Sequence, residues 1–237
     1  MTSSLPPIFL IILAVHAAYV SAFQHSKCVM PNRITSTTRL HVLDNAISKD
    51  LSFLPSAQFS LEFFKTPGSS STLYNFGPAS PLDEVLYTAE RPGNQFVKDG
   101  RVTSAQVLDW IDYVRKQGVT NVIALLDENE LDIYDEPLVD LMEQQQMKCH
   151  VIPISTVGAA GKIMNIISTA EVNGEKVVCH CTGGVGRAGR VAAAWLIHRY
   201  NLSPEVATLT VLDQAFKSGV KRMGHSKKLS HWLDYSP

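Results

Sequence analysis

The chain lacks the features that mark disulfide scaffolds, metal centres and nucleic-acid binders. It has only 4 cysteines in 237 residues, at positions 28, 149, 179 and 181, which is too few for a disulfide framework. Cys179 and Cys181 flank His180, yet no second cluster of cysteine and histidine stands at zinc-ligand spacing, so we predict no metal and no cofactor. The net charge is −1 and no long run of lysine or arginine occurs, which argues against a nucleic-acid partner.

Apolar runs long enough to span a bilayer are also missing. Residues 8–15 are apolar, but this run is far shorter than the ~20 residues that a membrane-spanning helix needs. Val20, Ser21 and Ala22 supply the small residues that a signal peptidase reads, so residues 1–22 are predicted to be a signal peptide. We therefore expect no membrane contact in the mature form.

Acidic side chains are absent from residues 23–42, whereas basic, serine and threonine side chains are frequent. This composition is typical of a transit peptide. A signal peptide, then Ser-Ala followed directly by Phe23, then a basic stretch resembles the bipartite presequence of diatoms and related algae with complex plastids. The resemblance implies a transit peptide-like segment over residues 23–45 and delivery to the plastid stroma. Plain secretion, with residues 23–42 as a disordered N-terminus, is the alternative.

One short loop concentrates the chemistry of the chain. Residues 178–190 read Val-Cys-His-Cys-Thr-Gly-Gly-Val-Gly-Arg-Ala-Gly-Arg, between a predicted buried strand and an apolar helix. The glycines allow successive backbone N–H groups to point at one anion, and a helix N-terminus adds favourable partial charge. We therefore predict that this loop binds phosphate through its backbone, over Thr182, Gly183, Gly184, Val185 and Gly186.

Cys181 and Arg187 are the predicted catalytic residues of this loop. The same backbone dipoles favour the thiolate form of Cys181, which is the nucleophilic form of the side chain. Such a thiolate attacks phosphorus in line, and the planar fork of Arg187 holds two phosphoryl oxygens. The predicted chemistry is phosphoryl transfer through a phosphocysteine, without a metal ion.

The run from His180 to Arg187 resembles the signature His-Cys-x5-Arg of the protein tyrosine phosphatase superfamily, in its dual-specificity-like branch. Over about residues 74–233 the chain also resembles the cyclin-dependent-kinase-associated phosphatases. The shorter matching stretches, in order, are Glu130-Leu131, Tyr134, Pro137-Leu138, Val151-Ile152-Pro153-Ile154 and Ser203-Pro204-Glu205. The resemblance implies the cysteine-phosphatase fold, a phosphorylated protein as substrate and partner, and a supporting role for His180.

Alternating patterns predict the fold class. Strands are predicted at 72–76, 85–89, 121–126, 148–152 and 176–179, and helices at 104–117, 136–146 and 158–172 and from Ala188, Ser203 and Ser226. Strands that alternate with helices indicate an α/β fold with a mostly parallel central sheet flanked by helices. We assign this domain to residues 72–235 and a connector to residues 46–71.

The sequence departs from the resembled family where the proton donor is expected. The family places an aspartate general acid on the loop after the strand that here ends at Ile154, but residues 155–160 read Ser-Thr-Val-Gly-Ala-Ala. Thr156 takes the position of the aspartate, and a hydroxyl cannot donate a proton near neutral pH. Asp127, directly after a predicted strand, is the first candidate for the missing acid. The alternative is that residues 127–132 are only a solvated acidic loop.

Other positions bear on function. The family often has serine or threonine where Ala188 stands, and His225 lies near a position where related enzymes offer a glutamine. Arg91 either lines the site or braces the loop. The leading prediction is a tyrosine or dual-specificity protein phosphatase of low activity. A pseudophosphatase that binds phosphorylated partners without turnover, and a plastid glucan phosphatase suggested by Ala188, are the alternatives.

Overall fold

The structure, a computed structural model, describes residues 64–65, 70–94 and 100–234. The predicted presequence over residues 1–45 therefore lies outside the described residues. The described residues up to 199 and from 203 onward belong to one compact unit. Within the described ranges, no helix combines the length and the apolar character needed to cross a membrane.

The strands of the described residues are β1 (Phe64–Lys65), β2 (Gly77–Pro78), β3 (Leu86–Glu90), β4 (Val119–Ala124), β5 (Lys148–Val151), β6 (Lys176–Cys181) and β7 (Met223–Gly224). Five of them form the central sheet in the order β2-β3-β6-β4-β5. Four of these five run parallel, and only the short edge strand β2 is antiparallel to its neighbour. This arrangement confirms the predicted α/β fold with a mostly parallel sheet.

Helices cover the sheet and connect its parallel strands. They are α1 (Ser104–Lys116), α2 (Glu128–Leu131), α3 (Leu138–Gln144), α4 (Ala159–Val172), α5 (Gly186–Tyr200), α6 (Pro204–Lys217) and α7 (Ser226–Asp234). A capping box begins α1, because the Thr103 hydroxyl accepts from the Gln106 N–H and the Gln106 side chain accepts from the Thr103 N–H. Ser203 caps α6, and Pro204 follows at a position where the missing N–H costs nothing.

The central strand β6 is the most deeply buried element at the site. Residues 177–181 are all buried, because β3 and β4 pair with the two edges of β6 and helices cover its faces. Helix α5, which follows β6, is also buried on most of its surface, from Ala188 to Leu196 apart from Arg190. A strand and a helix of this kind hold the loop between them rigidly at the carboxyl edge of the sheet.

Two details of the predicted elements were wrong, and other elements were not predicted. Residues 72–76 do not form a strand; a short 3₁₀ helix occupies Leu73–Asn75, and Tyr74 and Asn75 have positive φ angles of 56° and 49°. Strand β6 extends to Cys181 rather than ending at Cys179. The short helix α2 and the two-stranded pair of β1 with β7 were not predicted.

Candidate active site

The loop that carries the predicted nucleophile joins β6 to α5. Cys181 is the last residue of β6 and is 3% exposed, and Gly186 and Arg187 begin the helix. Gly184 has a φ of 67°, and an added Cβ would lie 2.5 Å from the carbonyl carbon of Ala89. Only glycine fits this turn, so the backbone of the loop is fixed against the end of β3.

Arg187 is held by an ion pair that the sequence did not predict. Its Nη2 donates to Oε1 of Glu130 at 2.7 Å and its Nη1 donates to Oε2 at 2.5 Å, which makes a two-pronged pair. Nη1 also donates to the Leu125 carbonyl at 2.6 Å. The Glu130 pair and the end of β4 thus fix the plane of the guanidinium beside the loop.

Thr182 forms hydrogen bonds with both members of the Arg187–Glu130 pair. Its hydroxyl accepts from Arg187 Nη2 at 2.6 Å and donates to Glu130 Oε1 at 2.5 Å. The hydrogen bond from Arg187 lowers the pKa of the Glu130 carboxyl to about 2 against the opposing effect of burial, and the Thr182 hydroxyl lowers it further. Glu130 is therefore an anion across the working pH range and orients Arg187 instead of donating a proton.

The short helix α2 places Glu130. The Glu130 N–H donates to the Asp127 carbonyl at 2.9 Å, and the Asp127 N–H donates back to Glu130 Oε2 at 3.1 Å. The sequence offered one signal for this residue, the similarity of Glu130-Leu131 to the resembled phosphatases. Its role depends on a tertiary contact that no local pattern reveals.

Backbone contacts brace the loop from two sides. The Asn75 side-chain amide donates to the Gly183 carbonyl at 2.9 Å, and the Arg91 N–H donates to the Thr182 carbonyl at 3.2 Å. On the far side the Met223 N–H donates to the Val185 carbonyl at 3.2 Å. These hydrogen bonds to three carbonyls restrict the backbone of the loop.

His180 is fully buried directly before the nucleophile. Its ring packs edge-on against Trp110 at 5.4 Å, and neither ring nitrogen has a hydrogen-bond partner among the described residues. Burial, with smaller effects of Arg91 and Arg187, lowers the pKa of His180 to about 3. His180 is therefore a neutral, buried packing residue directly before Cys181.

A second arginine lies beneath the loop. Arg222 is 1% exposed, and its guanidinium donates to the Thr88 hydroxyl at 2.7 Å and the Thr88 carbonyl at 2.9 Å. It also donates to the carbonyls of Lys221 and Asn75. Burial lowers the pKa of Arg222 to about 10, and the charges of Cys181 and Cys179 act in the opposite direction. Arg222 thus adds positive charge near Cys181, and no sequence pattern indicated this residue.

The candidates for the general acid lie at the rim of the site. Thr156 is exposed on the loop after β5, and Asp127 is exposed after β4. The Ser155 hydroxyl lies 3.4 Å from Oδ1 of Asp127, so these two loops meet. Asp127 also contributes to the raised pKa of Arg187, after larger effects that begin with the Glu130 hydrogen bond. Asp127 is therefore a carboxyl group beside the loop on which the family places its acid.

The structure also locates the other residues that the sequence indicated. Ala188 is buried in α5, His225 lies between β7 and α7, and Arg91 is buried with its guanidinium near His180. Across residues 70–94 and 100–234, no group of three histidine, cysteine, aspartate or glutamate side chains is placed to hold a metal ion. The chemistry available at the site is that of Cys181, Arg187, the loop N–H groups and the carboxyl at its rim.

Comparison with known proteins agrees with this geometry. The family model described as the catalytic domain of dual specificity phosphatases matches residues 111–234, more than half of the chain. The Rattus norvegicus protein named cyclin-dependent kinase inhibitor 3 is 31% identical over 128 residues, which cover 51% of this chain and 60% of that protein. The Homo sapiens protein of the same name is 32% identical over 124 residues, which cover 49% and 58% respectively.

A solved structure resembles the fold as well. A crystal structure of kinase associated phosphatase, with serine in place of the catalytic-site cysteine, aligns with a TM-score of 0.51 at 25% identity and covers 63% of this chain and 84% of that chain. The alignments with the rat and human relatives span about three fifths of the length of those proteins.

Proposed function

This chain belongs to the dual specificity phosphatase family, and from that membership we propose that it hydrolyses phosphotyrosine in proteins through a phosphocysteine on Cys181. The observation that carries the proposal is the juxtaposition of a buried Cys181 at the base of the loop with Arg187 held by Glu130. In the proposed reaction Cys181 is the nucleophile and Arg187 is the fork that binds the phosphoryl oxygens.

The proposed reaction has two steps. The Cys181 thiolate forms a bond to phosphorus as the bond to the tyrosine oxygen breaks, and a proton passes to that oxygen. Water then attacks the phosphocysteine, which releases inorganic phosphate and restores the thiolate. Arg187 and the loop N–H groups stabilise the charge on the phosphoryl oxygens in both steps.

The position of the candidate general acid determines which leaving groups the site can expel readily. Residues 155–160 offer no carboxyl group, and Asp127 is exposed at the rim of the site. A tyrosine phenolate, with a pKa of about 10, leaves with less protonation than the alkoxide of phosphoserine or of a sugar. This chemistry supports aryl phosphates over alkyl phosphates, with phosphoserine and phosphothreonine as slower substrates.

Turnover of a small aryl phosphate and of phosphotyrosine peptides by the full chain tests the proposal. Cys181→Ser should abolish turnover, whereas the control Cys149→Ser, on β5, should retain it. Binding of phosphopeptides without turnover at any pH would instead establish the pseudophosphatase, which the missing acid on residues 155–160 favours. Release of phosphate from phosphorylated glucan but not from peptides would favour the glucan phosphatase that Ala188 suggests.

We propose Asp127 as the general acid. Asp127→Asn should remove the basic limb of the pH profile for kcat and slow alkyl phosphates more than aryl ones, within the factor of roughly 10²–10⁴ that general acid catalysis supplies. Asp132→Asn, on the same exposed acidic segment, is the matched control. An unchanged profile in Asp127→Asn rejects the assignment.

The proposed location rests on the composition of residues 1–45 alone. We propose delivery to the plastid stroma through a signal peptide followed by a transit peptide-like segment. A fluorescent reporter fused after residue 45 should collect in plastids of a diatom. Secretion of the reporter would overturn this proposal without bearing on the catalytic one.

A further inference from the structure

The buried guanidinium of Arg222 lies on the same face of the sheet as the nucleophile. Strands β3 and β6 are parallel and in register, with Thr88 opposite Cys179. Side chains two residues apart on a strand project to one face, so those of Thr88, Cys179 and Cys181 share a face. Arg222 donates to the Thr88 hydroxyl at 2.7 Å, which places its guanidinium on that face, beneath the catalytic loop.

Hydrogen bonds on two sides fix Arg222 relative to the loop. Its guanidinium donates to the Asn75 carbonyl at 3.1 Å, and the Asn75 side chain donates to the Gly183 carbonyl at 2.9 Å. The next residue along the chain, Met223, donates its N–H to the Val185 carbonyl at 3.2 Å. The guanidinium therefore has a set position below the loop, unlike a long side chain at the surface.

Arg222 keeps its positive charge at this depth. It is 1% exposed, and burial lowers its pKa to about 10, which is still well above neutral pH. The charge of Cys181 and, to a smaller extent, that of Cys179 raise the same pKa, so the guanidinium and the thiol interact. Water and salt screen an interaction between buried charges much less than one at the surface.

Other ionisable groups surround the nucleophile but act elsewhere. On the neighbouring elements these groups are Glu90 and Arg91 at the end of β3, Asp127 and Glu130 at α2, Cys179 and His180 on β6, and Arg187 at the start of α5. Arg187 also interacts with the charge of Cys181, but it bonds Glu130, and in the proposed reaction it binds phosphoryl oxygens. Burial lowers the pKa of His180 to about 3 and raises the pKa of Cys179, so neither adds positive charge. A second cation beneath the loop can therefore act on the sulfur itself.

We propose that Arg222 stabilises negative charge on Sγ of Cys181 from the buried side, both in the resting thiolate and in the thiolate that leaves the phosphocysteine. In that second step a water oxygen bonds to phosphorus as the P–S bond breaks, and the electron pair of the P–S bond goes to sulfur. A proton of the water passes to the deprotonated general acid. Arg187 and the loop N–H groups serve the phosphoryl oxygens in this step, whereas Arg222 serves the sulfur. The role in the second step rests on the proposed function, but the role in the resting thiolate does not.

Alkylation by iodoacetamide measures the thiolate of Cys181 without turnover, because only the thiolate reacts. The full chain is alkylated at pH 6 and at pH 9, and mass spectrometry quantifies modification at Cys181. Arg222→Gln removes the charge, so the rate at pH 6 relative to pH 9 should fall about tenfold. Arg222→Lys keeps the charge and should retain most of this ratio.

A matched variant separates the charge of Arg222 from its packing. Thr88→Val removes one acceptor of the guanidinium but keeps the charge, so it should lower stability and leave the alkylation ratio unchanged. Urea unfolding confirms that each variant is folded under the conditions of alkylation, and Arg222→Met is the second neutral variant if Arg222→Gln does not fold. The wild type provides a test of its own, because an alkylation ratio no higher in the native chain than in the urea-unfolded chain overturns the proposal.

Rapid mixing with an aryl phosphate tests the second step. Slower breakdown of the phosphocysteine in Arg222→Gln should give a larger burst of phenol and a kcat about tenfold lower, whereas Arg222→Lys should stay near the wild type.

Equal alkylation ratios in the wild type and Arg222→Gln, or losses as large in Arg222→Lys and Thr88→Val, overturn the role of the charge. If the wild type hydrolyses no phosphate ester while the ratio falls in Arg222→Gln, the proposed catalysis fails and the thiolate role of Arg222 stands. If turnover is normal in Arg222→Gln and the ratio is unchanged, the proposed catalysis stands and the role of Arg222 fails.

Discussion

At the scale of single residues, the feature that organises the site is the pair between Arg187 and Glu130. An unrestrained arginine side chain has many rotamers, and the loss of that freedom opposes phosphate binding. The two hydrogen bonds to Glu130 and the bond to the Leu125 carbonyl select one of them in advance. Preorganisation of this kind makes the electrostatic stabilisation of the transition state effective.

Replacing Glu130 tests this role. Glu130→Gln keeps the size of the side chain but loses the charge, so we expect kcat/KM for an aryl phosphate to fall about 10- to 100-fold, as loss of charge-assisted bonds worth roughly 1.5–3 kcal/mol implies. Steady-state kinetics on the wild type and the variant provide the measurement. Glu128→Gln, on the same short helix and exposed, is the control. Equal losses in the two variants would contradict a specific role for Glu130.

The sequence could predict the site residues that lie within one local run but not those brought together by long-range contacts. Cys181, Arg187 and the glycines between them lie within one local run, so spacing and residue type suffice to propose a phosphate loop. Glu130 stands 57 residues from Arg187 and Arg222 stands 134 residues from Thr88. Contacts over such separations depend on the sheet order, which alternation of strands and helices does not determine.

At the scale of elements, the catalytic loop depends on its fit against the end of β3. Gly184 has a φ of 67°, and an added Cβ would lie 2.6 Å from the carbonyl oxygen of Ala89. Gly184→Ala should therefore cost about 2–4 kcal/mol of unfolding free energy, from the left-handed backbone and from overpacking. The measurement is the urea midpoint. Gly183→Ala, whose Cβ would have its nearest neighbour at 3.8 Å, should be far less destabilised; similar losses would contradict the steric account.

Arg222 joins three segments of the fold beneath the loop. Its guanidinium serves the Thr88 hydroxyl and the carbonyls of Thr88, Asn75 and Lys221. Arg222→Met removes these donors and leaves buried oxygen atoms without partners, so we expect a loss of about 3 kcal/mol or more of stability. Arg222→Lys keeps the charge with fewer donors and should lose less. Chemical unfolding of both variants measures the difference, and an unchanged stability in Arg222→Met would contradict it.

The failed strand prediction at residues 72–76 has the same origin as these long-range contacts. Leu73, Tyr74 and Phe76 are apolar or aromatic and favour a strand, yet the chain turns there with positive φ angles. The side chain of Asn75 bonds Gly183 and Lys221, each more than a hundred positions away. Tertiary hydrogen bonds thus outweigh local propensity at a segment that braces the active site.

At the scale of the whole molecule, buried ionisable groups at the site couple stability to pH. The pKa of Glu130 is lowered to about 2 and that of His180 to about 3, so on acidification both groups take up protons more readily in the unfolded chain. Burial raises the pKa of Glu90, which acts in the opposite direction. Because folding lowers the pKa of both Glu130 and His180, the stability that these two groups contribute is present near neutral pH and is lost as the pH falls.

His180 and Glu130 affect stability over different pH ranges, so their two effects can be measured separately. The contribution of His180 is lost between its ordinary pKa of 6.5 and about 3, and that of Glu130 between 4.5 and about 2. One proton of difference corresponds to a slope of about 1.4 kcal/mol per pH unit. Urea unfolding of the wild type from pH 7 to pH 3 should therefore show a decline that begins below about pH 6.5.

Replacing His180 tests whether its protonation causes that decline in stability. Neither ring nitrogen of His180 has a hydrogen-bond partner in the described part of the chain, so His180→Phe preserves the packing on Trp110 without stranding a polar contact. Between pH 6.5 and pH 4.5, the slope of the unfolding free energy against pH should be smaller in this variant by about the contribution of one proton. Glu130→Gln should leave that window intact and flatten the curve only below about pH 4.5. A wild-type slope that persists in His180→Phe would show that the buried imidazole is not the group whose protonation destabilises the fold.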